Sequence, residues 1–337
     1  MRKQIESWLQ ARWYGDRRPG LLLRSLAGLQ AGLAKLNRRR VADAWRAPVP
    51  VVVVGNLTVG GTGKTPFVAW LAATLRDRGH RVGIVSRGYR RQSRETLRVD
   101  KDSRWQDVGD EPLLLRHMSD CPVVVGRNRV AACRLLLDTA PVDLILCDDG
   151  LQHYRLGRDM EIAIIDAGRG FGNGYLFPAG PLREPLARLA HVDFRVWNGG
   201  VPAGEEGIGM WLEPDHAVHL GTGEIRALSS FAPGPVRAVA GIGSPRRFFA
   251  SLEQQGIEVH PETPGDHGVW HSDTGRAETP AIGLPVLMTD KDAIKLEAPA
   301  GADWWRVPVS ARLAAEGALL SGIECLLSPA AASGTDT

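Results

Sequence analysis

At 337 residues, with 44% apolar and 23% charged residues, the chain has the composition of a folded, water-soluble protein of two ordinary domains. Four scattered cysteines (Cys121, Cys133, Cys147, Cys325), with no C-x-x-C pair, exclude a disulfide framework or a cysteine-based metal site and point to a reducing compartment. The net charge of +3 is unevenly spread: residues 1–50 carry eleven Lys or Arg against three Asp or Glu, a net of +8, which leaves −5 for the rest. That asymmetry implies an anionic surface near the N-terminus.

The chain opens on this basic arm, residues 1–45. No cleavable signal peptide is legible in it, because the first twenty residues mix Trp, Arg, Glu and Asp without an apolar core. Leu22, Leu26, Leu29, Leu33 and Leu36 recur at helical spacing and share one face. Ile5, Trp8, Leu9 and Trp13 form a shorter stripe, and arginines flank the whole. The stretch is too short and too interrupted to cross a bilayer core of roughly 30 Å. A helix lying in the headgroup plane is expected, the alternative being a helix that packs its leucines on the following domain. The regular leucine stripe argues against a nucleic-acid arm.

From residue 48 short Val/Ile-rich runs alternate with helical stretches such as 65–79 and 127–139. "PVPVVVVGN", "VGIVSRGY", "CPVVVG", "VDLILCDDG", "EIAIIDAG" and "HVDFRVWNG" read as buried parallel strands. The expected fold is α/β, a doubly wound, mostly parallel sheet of the P-loop NTPase type, over residues 46–205. A Gly/Pro-rich break over 198–235 marks the boundary with a second, smaller α/β unit expected over 206–328, with "VRAVAGIG", "PVLMTDKDAIK" and "WWRVPVS" as its apolar runs. Residues 329–337 read as a disordered tail.

The first of those strands runs into "GNLTVGGTGKTP". Strand, glycine-rich loop and helix start, with Lys64-Thr65 at the junction, are the context of a phosphate-binding loop. Glycines let backbone N–H groups converge on phosphate oxygens at a helix N-terminus. Gly60, Gly61, Thr62, Gly63, Lys64, Thr65 and Pro66 are the expected nucleotide contacts, with Lys64 bridging β- and γ-phosphates and the Thr65 hydroxyl on Mg²⁺. The strict motif needs a glycine five residues before Gly63, where this chain has Thr58. "LILCDDGLQH" places Asp148 and Asp149 at a strand end, where acids of a phosphate site belong.

Other punctuation is less specific. On the residues alone, Asp110 of "GDEP" reads as a helix N-cap with Pro112 in the first turn. Asp266 and His267 of "PGDHGVW" sit together in a loop, and "SRGYRR" supplies Arg87, Arg90 and Arg91. "TDKD" at 289–292 misses the guanine-reading T-K-x-D, with Asp290 at the lysine position.

Taken in order, "GNLTVGGTGKTP", "SRGY", "GDEP", "DDGLQH", "PAGPLREP", the Asp266-His267 pair and "TDKDAIK" resemble the tetraacyldisaccharide 4'-kinases of lipid A biosynthesis, from the arm to about residue 296. Thr58 is an expected spelling of that family's loop. The resemblance implies a kinase at the cytosolic face of the bacterial inner membrane, moving the γ-phosphate of ATP to the 4'-hydroxyl of tetraacyldisaccharide 1-phosphate. It makes Asp110 the base, assisted by His267, with Lys64 stabilising the transferred group. Thr65, Asp148, Asp149 and Glu184 become the Mg²⁺ candidates, and Arg87, Tyr89, Gln152, His153 and Arg183 the substrate contacts. The implied partners are the lipid substrate and an anionic membrane surface, with no nucleic acid. The alternative is a membrane-associated switch ATPase of deviant P-loop type, whose signature lysine would fall where this chain has Val59.

Overall fold

The computed structural model describes residues 2–15, 18–39, 44–89, 91–264, 283–296 and 301–328. Two helices, α1 (Arg2–Trp13) and α2 (Leu21–Arg39), precede the first strand. The main body then runs β1 (Val51–Gly55), α3 (Lys64–Asp77), β2 (Val82–Ser86), β3 (Leu97–Val99), α4 (Trp105–Val108), α5 (Asp110–Ser119), β4 (Val123–Val125), α6 (Arg129–Thr139), β5 (Leu144–Asp148), β6 (Met160–Asp166), β7 (Phe194–Asn198) and β8 (Ile208–Glu213). Next come β9 (His216–His219), β10 (Ile225–Ala227), β11 (Pro235–Val239), α7 (Pro245–Glu253), β12 (Glu258–Glu262), β13 (Val286–Thr289), α8 (Asp290–Ala293) and β14 (Trp304–Val307). The chain closes with β15 (Ser310–Leu313) and α9 (Gly317–Leu327).

A nine-stranded sheet has the order β15-β8-β7-β6-β1-β5-β2-β4-β3. All its pairings are parallel except β15 on β8 and β3 on β4, at the two edges. The four valines of β1 show why both faces must be covered. Val52 and Val54 pack with Phe67 and Leu71 of α3 and with Leu319 and Ile323 of α9. Val51 and Val53 face the opposite layer, with Ala132, Cys133 and Leu136 of α6. Successive side chains of a strand point to opposite faces, so an unbroken valine run is stable only between two helical layers. A six-stranded sheet, β10-β9-β14-β13-β11-β12, forms the second unit.

Sheet membership does not follow the linear division expected at residue 205. Strand β8 hydrogen-bonds to β7, and after the second sheet the chain returns so that β15 pairs with β8 and α9 joins the first core. The second sheet is thus inserted between β8 and β15. The second sheet begins between β8 and β9, within the Gly/Pro-rich residues 198–235, and pairing partners remote in sequence return β15 to the first sheet.

The arm meets the body at the end of α1 and again along α2, where Ala27 is buried and Arg24 stands over the Tyr175 ring at 5.7 Å. Trp13 is buried, its Nε1 donates to the Pro178 carbonyl at 3.0 Å, and its ring stands edge-on to Phe177. Of the described leucines in the stripe, Leu22, Leu26 and Leu29 are 75%, 46% and 65% exposed. Leu33 and Leu36 fall outside the described side chains. Among the described residues no helix is long and apolar enough to cross a membrane.

One buried ion pair ties the loop after the site to the sheet. Glu161 of β6 is held by Arg158 at 2.9 Å and by Arg188, and both Glu161 and Arg188 are buried. Removing one partner strands a buried charge, so Glu161→Ala should lower stability by about 3–5 kcal/mol. Urea denaturation of the variant against the parent checks this.

Candidate active site

The strands β1, β2, β5 and β6 end side by side, and the residues just beyond them carry the site. Register places Val54 opposite Asp148 and Gly55 opposite Ala163, so the phosphate loop leaves β1 where the acid of β5 emerges. Such a crevice at the carboxyl ends, where neighbouring crossovers diverge, is where open α/β sheets take ligands.

The loop, residues 56–63, is shaped by glycines at two defined positions. Gly60 has φ +111° and Gly63 φ +89°, both in the left-handed region. A Cβ on Gly63 would also meet Asn198 Nδ2 at 2.6 Å, and that amide donates to the Thr62 carbonyl at 3.1 Å. Thr58 needs no such freedom: it forms an antiparallel bridge with Leu182, and the Val59 N–H donates to the Pro181 carbonyl at 2.8 Å. The departure from the strict motif is therefore accommodated by the "PLREP" segment lying along the loop. Arg169 donates to the Gly61 carbonyl from the opposite side.

Lys64 begins α3 directly after Gly63. Its Nζ donates to Asn56 Oδ1 at 3.2 Å and lies 3.6 Å from Asp149. Arg183 reaches both oxygens of the same aspartate, at 3.0 and 3.2 Å. Burial pushes Asp149 upward, but Lys64, Arg183 and Arg129 overcome it and hold the carboxyl at about 2. Asp148 is different. Burial, then the neighbouring charges of Glu111 and Asp149, push it up to about 6. Its Oδ2 accepts from the Ser86 hydroxyl at 2.8 Å, while Oδ1 is buried with no hydrogen-bond partner among the described residues.

The "DDGLQH" and "LREP" segments meet at Glu184, which is buried and accepts from Gln152 Nε2 at 3.1 Å and from the Tyr154 hydroxyl. Gln152 also donates to the Asn56 carbonyl at 3.2 Å, tying this acid to the phosphate loop. Burial, then Arg129 and its neighbouring arginines, lower His153 to about 4, so its ring is neutral at physiological pH. Arg87 and Tyr89 project, exposed, from the turn after β2.

Asp110 is not a cap. Gly109, with φ +96°, is the N-cap of α5, and Asp110 is the first helical residue. It is buried, its Oδ1 accepts from the Glu111 N–H at 2.9 Å, and its Oδ2 lies 3.2 Å from Lys295 Nζ of the second unit. The second unit touches the site elsewhere too. Arg247 of α7 donates to Asp166 at 2.8 Å, and a Cβ on Gly243 would lie 3.3 Å from the Gly61 nitrogen.

With this arrangement in place, a family model described as tetraacyldisaccharide-1-P 4'-kinase matches residues 20–327. The chain belongs to that family. It is 48% identical over 305 residues to a tetraacyldisaccharide 4'-kinase of Azotobacter vinelandii, covering 89% of this chain and 91% of the relative. To the enzyme of the same name from Methylobacillus flagellatus it is 47% identical over 319 residues, covering 93% and 94%. Among solved structures, LpxK from Aquifex aeolicus in complex with ATP superposes with a TM-score of 0.76 at 29% identity, over 90% of this chain and 98% of that one.

The four residues expected to hold Mg²⁺ differ in their surroundings. Asp149 faces Lys64 and Arg183, and Glu184 accepts from Gln152 and Tyr154. Among the described residues no three His, Cys, Asp or Glu groups stand together as a metal cluster. The orphaned Oδ1 of Asp148 nevertheless fits Mg²⁺, which takes one or two carboxylates and fills its remaining positions with phosphate oxygens and water. Thr65 lies in the first turn of α3 beside this strand end.

Asp266 and His267, and Arg90 of "SRGYRR", lie outside the described residues. Arg91 is buried and donates to the Glu95 carbonyl, a structural role. Sequence reasoning missed Ser86, Asn198, Arg169 and above all Lys295. "DKDAIK" does hold a signal for the last, since Asp292 and Lys295 stand three residues apart as an ion pair would require.

Proposed function

We infer that this chain is an ATP-dependent tetraacyldisaccharide 4'-kinase that phosphorylates the 4'-hydroxyl of tetraacyldisaccharide 1-phosphate, giving the 1,4'-bisphosphate (lipid IVA) of lipid A biosynthesis. The observation that carries this reading, beside family membership, is the register that sets the Gly60–Lys64 loop against the unpartnered oxygen of Asp148. The loop N–H groups and the α3 N-terminus bind the β- and γ-phosphates, with Gly60, Gly61, Thr62, Gly63 and Pro66 shaping the cradle. Lys64 leaves Asn56 and Asp149 to meet the γ-phosphoryl, where charge spreads as the bond to the leaving oxygen lengthens. Asp148 and Thr65 would hold Mg²⁺, which neutralises phosphate charge when bound. Asp110 accepts the 4'-hydroxyl proton as the attack develops, assisted by His267. Arg87, Tyr89, Gln152, His153 and Arg183 line the path of the sugar headgroup.

The substrate's acyl chains stay in a bilayer while its hydroxyl must reach a water-soluble nucleotide. The exposed leucines of α2 and the basic charge of the arm support docking on the anionic cytosolic face of the inner membrane. Replacing Leu22, Leu26 and Leu29 together by serine should weaken co-sedimentation with anionic vesicles at least about tenfold, given the apolar area lost. Because those side chains are exposed, the melting temperature should not change. Vesicle binding equal to the parent's would sink the interfacial helix.

The function itself is tested by transfer of label from γ-labelled ATP with Mg²⁺ and tetraacyldisaccharide 1-phosphate in detergent micelles. Label in the lipid fraction is the expected result. Label released only as free phosphate would overturn the kinase reading in favour of a switch ATPase.

A further inference from the structure

We propose that Lys295, delivered by the second unit, is the positioning residue that holds the Asp110 carboxylate in its working orientation. The proposal rests on Asp110 being the base, and the test below separates the two.

Lys295 follows α8 in a turn closed by its own N–H to the Asp292 carbonyl at 3.1 Å. Only 2% of its side chain is exposed. An ammonium group costs several kcal/mol to bury, so it persists only beside carboxylates. Two are present, Asp110 Oδ2 at 3.2 Å and Asp292 Oδ1 at 4.0 Å. They are not equivalent. Asp292 Oδ2 already accepts from the Thr289 hydroxyl at 2.6 Å and from the Gly241 N–H at 2.7 Å. Those bonds fix Asp292 to its own sheet, where it steers Lys295 outward. The nearer oxygen belongs to Asp110, on the other unit.

Asp110 is thereby held at both oxygens. Oδ1 accepts from the Glu111 N–H of its own first turn and Oδ2 faces Lys295, so the carboxylate cannot rotate without losing one of them. A second pair, Lys291 to Glu111 at 2.9 Å, seats α8 on α5 beside it. Among the described residues, the charged groups around Asp110 include Glu111 on its own helix, Lys291 and Asp292 of α8, Lys295 in the turn after it, and Arg91 behind the Gly88–Gly109 contact. Strand β5 adds Asp148, which faces Glu111. Among the described residues, Lys295 is the cation paired with this carboxylate, at 3.2 Å. The orientation of the base is therefore complete only when the second unit is seated on the first.

The sign of the pH effect follows. A cation beside a carboxylate favours its charged form, so removing Lys295 raises the pH at which Asp110 loses its proton. In Lys295→Met the acid limb of the kcat profile should move up by about 1–3 pH units. At neutral pH kcat should fall roughly 10–100-fold, the cost of a misplaced catalytic group. ATP affinity, measured by calorimetry, should stay within about twofold because the phosphate loop is untouched. Lys295→Arg keeps the charge and should recover most of kcat and the parent acid limb. If Lys295→Met melts below the assay temperature, the charge-balanced Asp292→Asn/Lys295→Met pair carries the same expectations. An unmoved acid limb and parental kcat in Lys295→Met, with Asp110→Asn inactive, would overturn the role of Lys295. So would equal losses in Met and Arg variants with the acid limb unmoved in both. Parental activity in Asp110→Asn would instead remove the base reading beneath it.

Discussion

Asp110→Asn should lower kcat by roughly 10²–10⁴-fold, the contribution of a positioned general base, while ATP binding stays within about twofold. The substitution keeps the side chain's shape and an oxygen to accept the Glu111 N–H, so α5 should form as before. What is lost is the ability to take a proton and to balance the charge of Lys295, 3.2 Å away. The measurement is label transfer into lipid under saturating ATP and substrate, alongside calorimetric ATP binding. Undiminished transfer would take Asp110 out of the mechanism and leave its burial as a structural matter.

Lys64→Ala should cost about 10²–10³-fold in kcat, on the scale of a preorganised charge contact removed from the transferring group. Here nucleotide affinity should fall too, since the same ammonium meets phosphate in the ground state. The resting partners of Lys64 shape this expectation. Without it, Asp149 still has Arg183 on both oxygens, so the variant is not left with an unpaired acid and should fold. A kcat at parental level with ATP affinity reduced would restrict Lys64 to ground-state binding. The two variants differ in signature: Asp110→Asn spares nucleotide affinity and Lys64→Ala does not, which separates proton transfer from phosphate handling.

Much of the site was legible in the chain because its signals are short-range. Four valines, a glycine-rich loop and Lys-Thr at a helix start specify strand, turn and helix within a few residues, and β1, the loop and α3 occupy those positions. The carboxylate at the end of "LILCD" was legible for the same reason, since a buried strand must release its first polar residue at the sheet edge. Asp110 was harder. Its local context reads as a cap, and only the resemblance to the kinases assigned it a chemical role.

Other features were decided by distances between elements remote in sequence. The second sheet begins within the Gly/Pro-rich break, but that the chain then returns so that β15 pairs with β8 was decided by hydrogen-bond partners. Asp149 and Glu184 look like metal ligands in one dimension. Packing sets Asp149 against Lys64 and Arg183 and Glu184 against Gln152 and Tyr154, and leaves one oxygen of Asp148 with no hydrogen-bond partner among the described residues. The pairing of Lys295 with Asp110 belongs to the same class. The sequence by itself determined the βα elements, the phosphate loop and the charge of the arm, because periodicity, glycine and composition act locally. Only the tertiary structure decided which charges neutralise one another, because a Coulomb interaction depends on separation and burial, and both are set by how the two sheets pack.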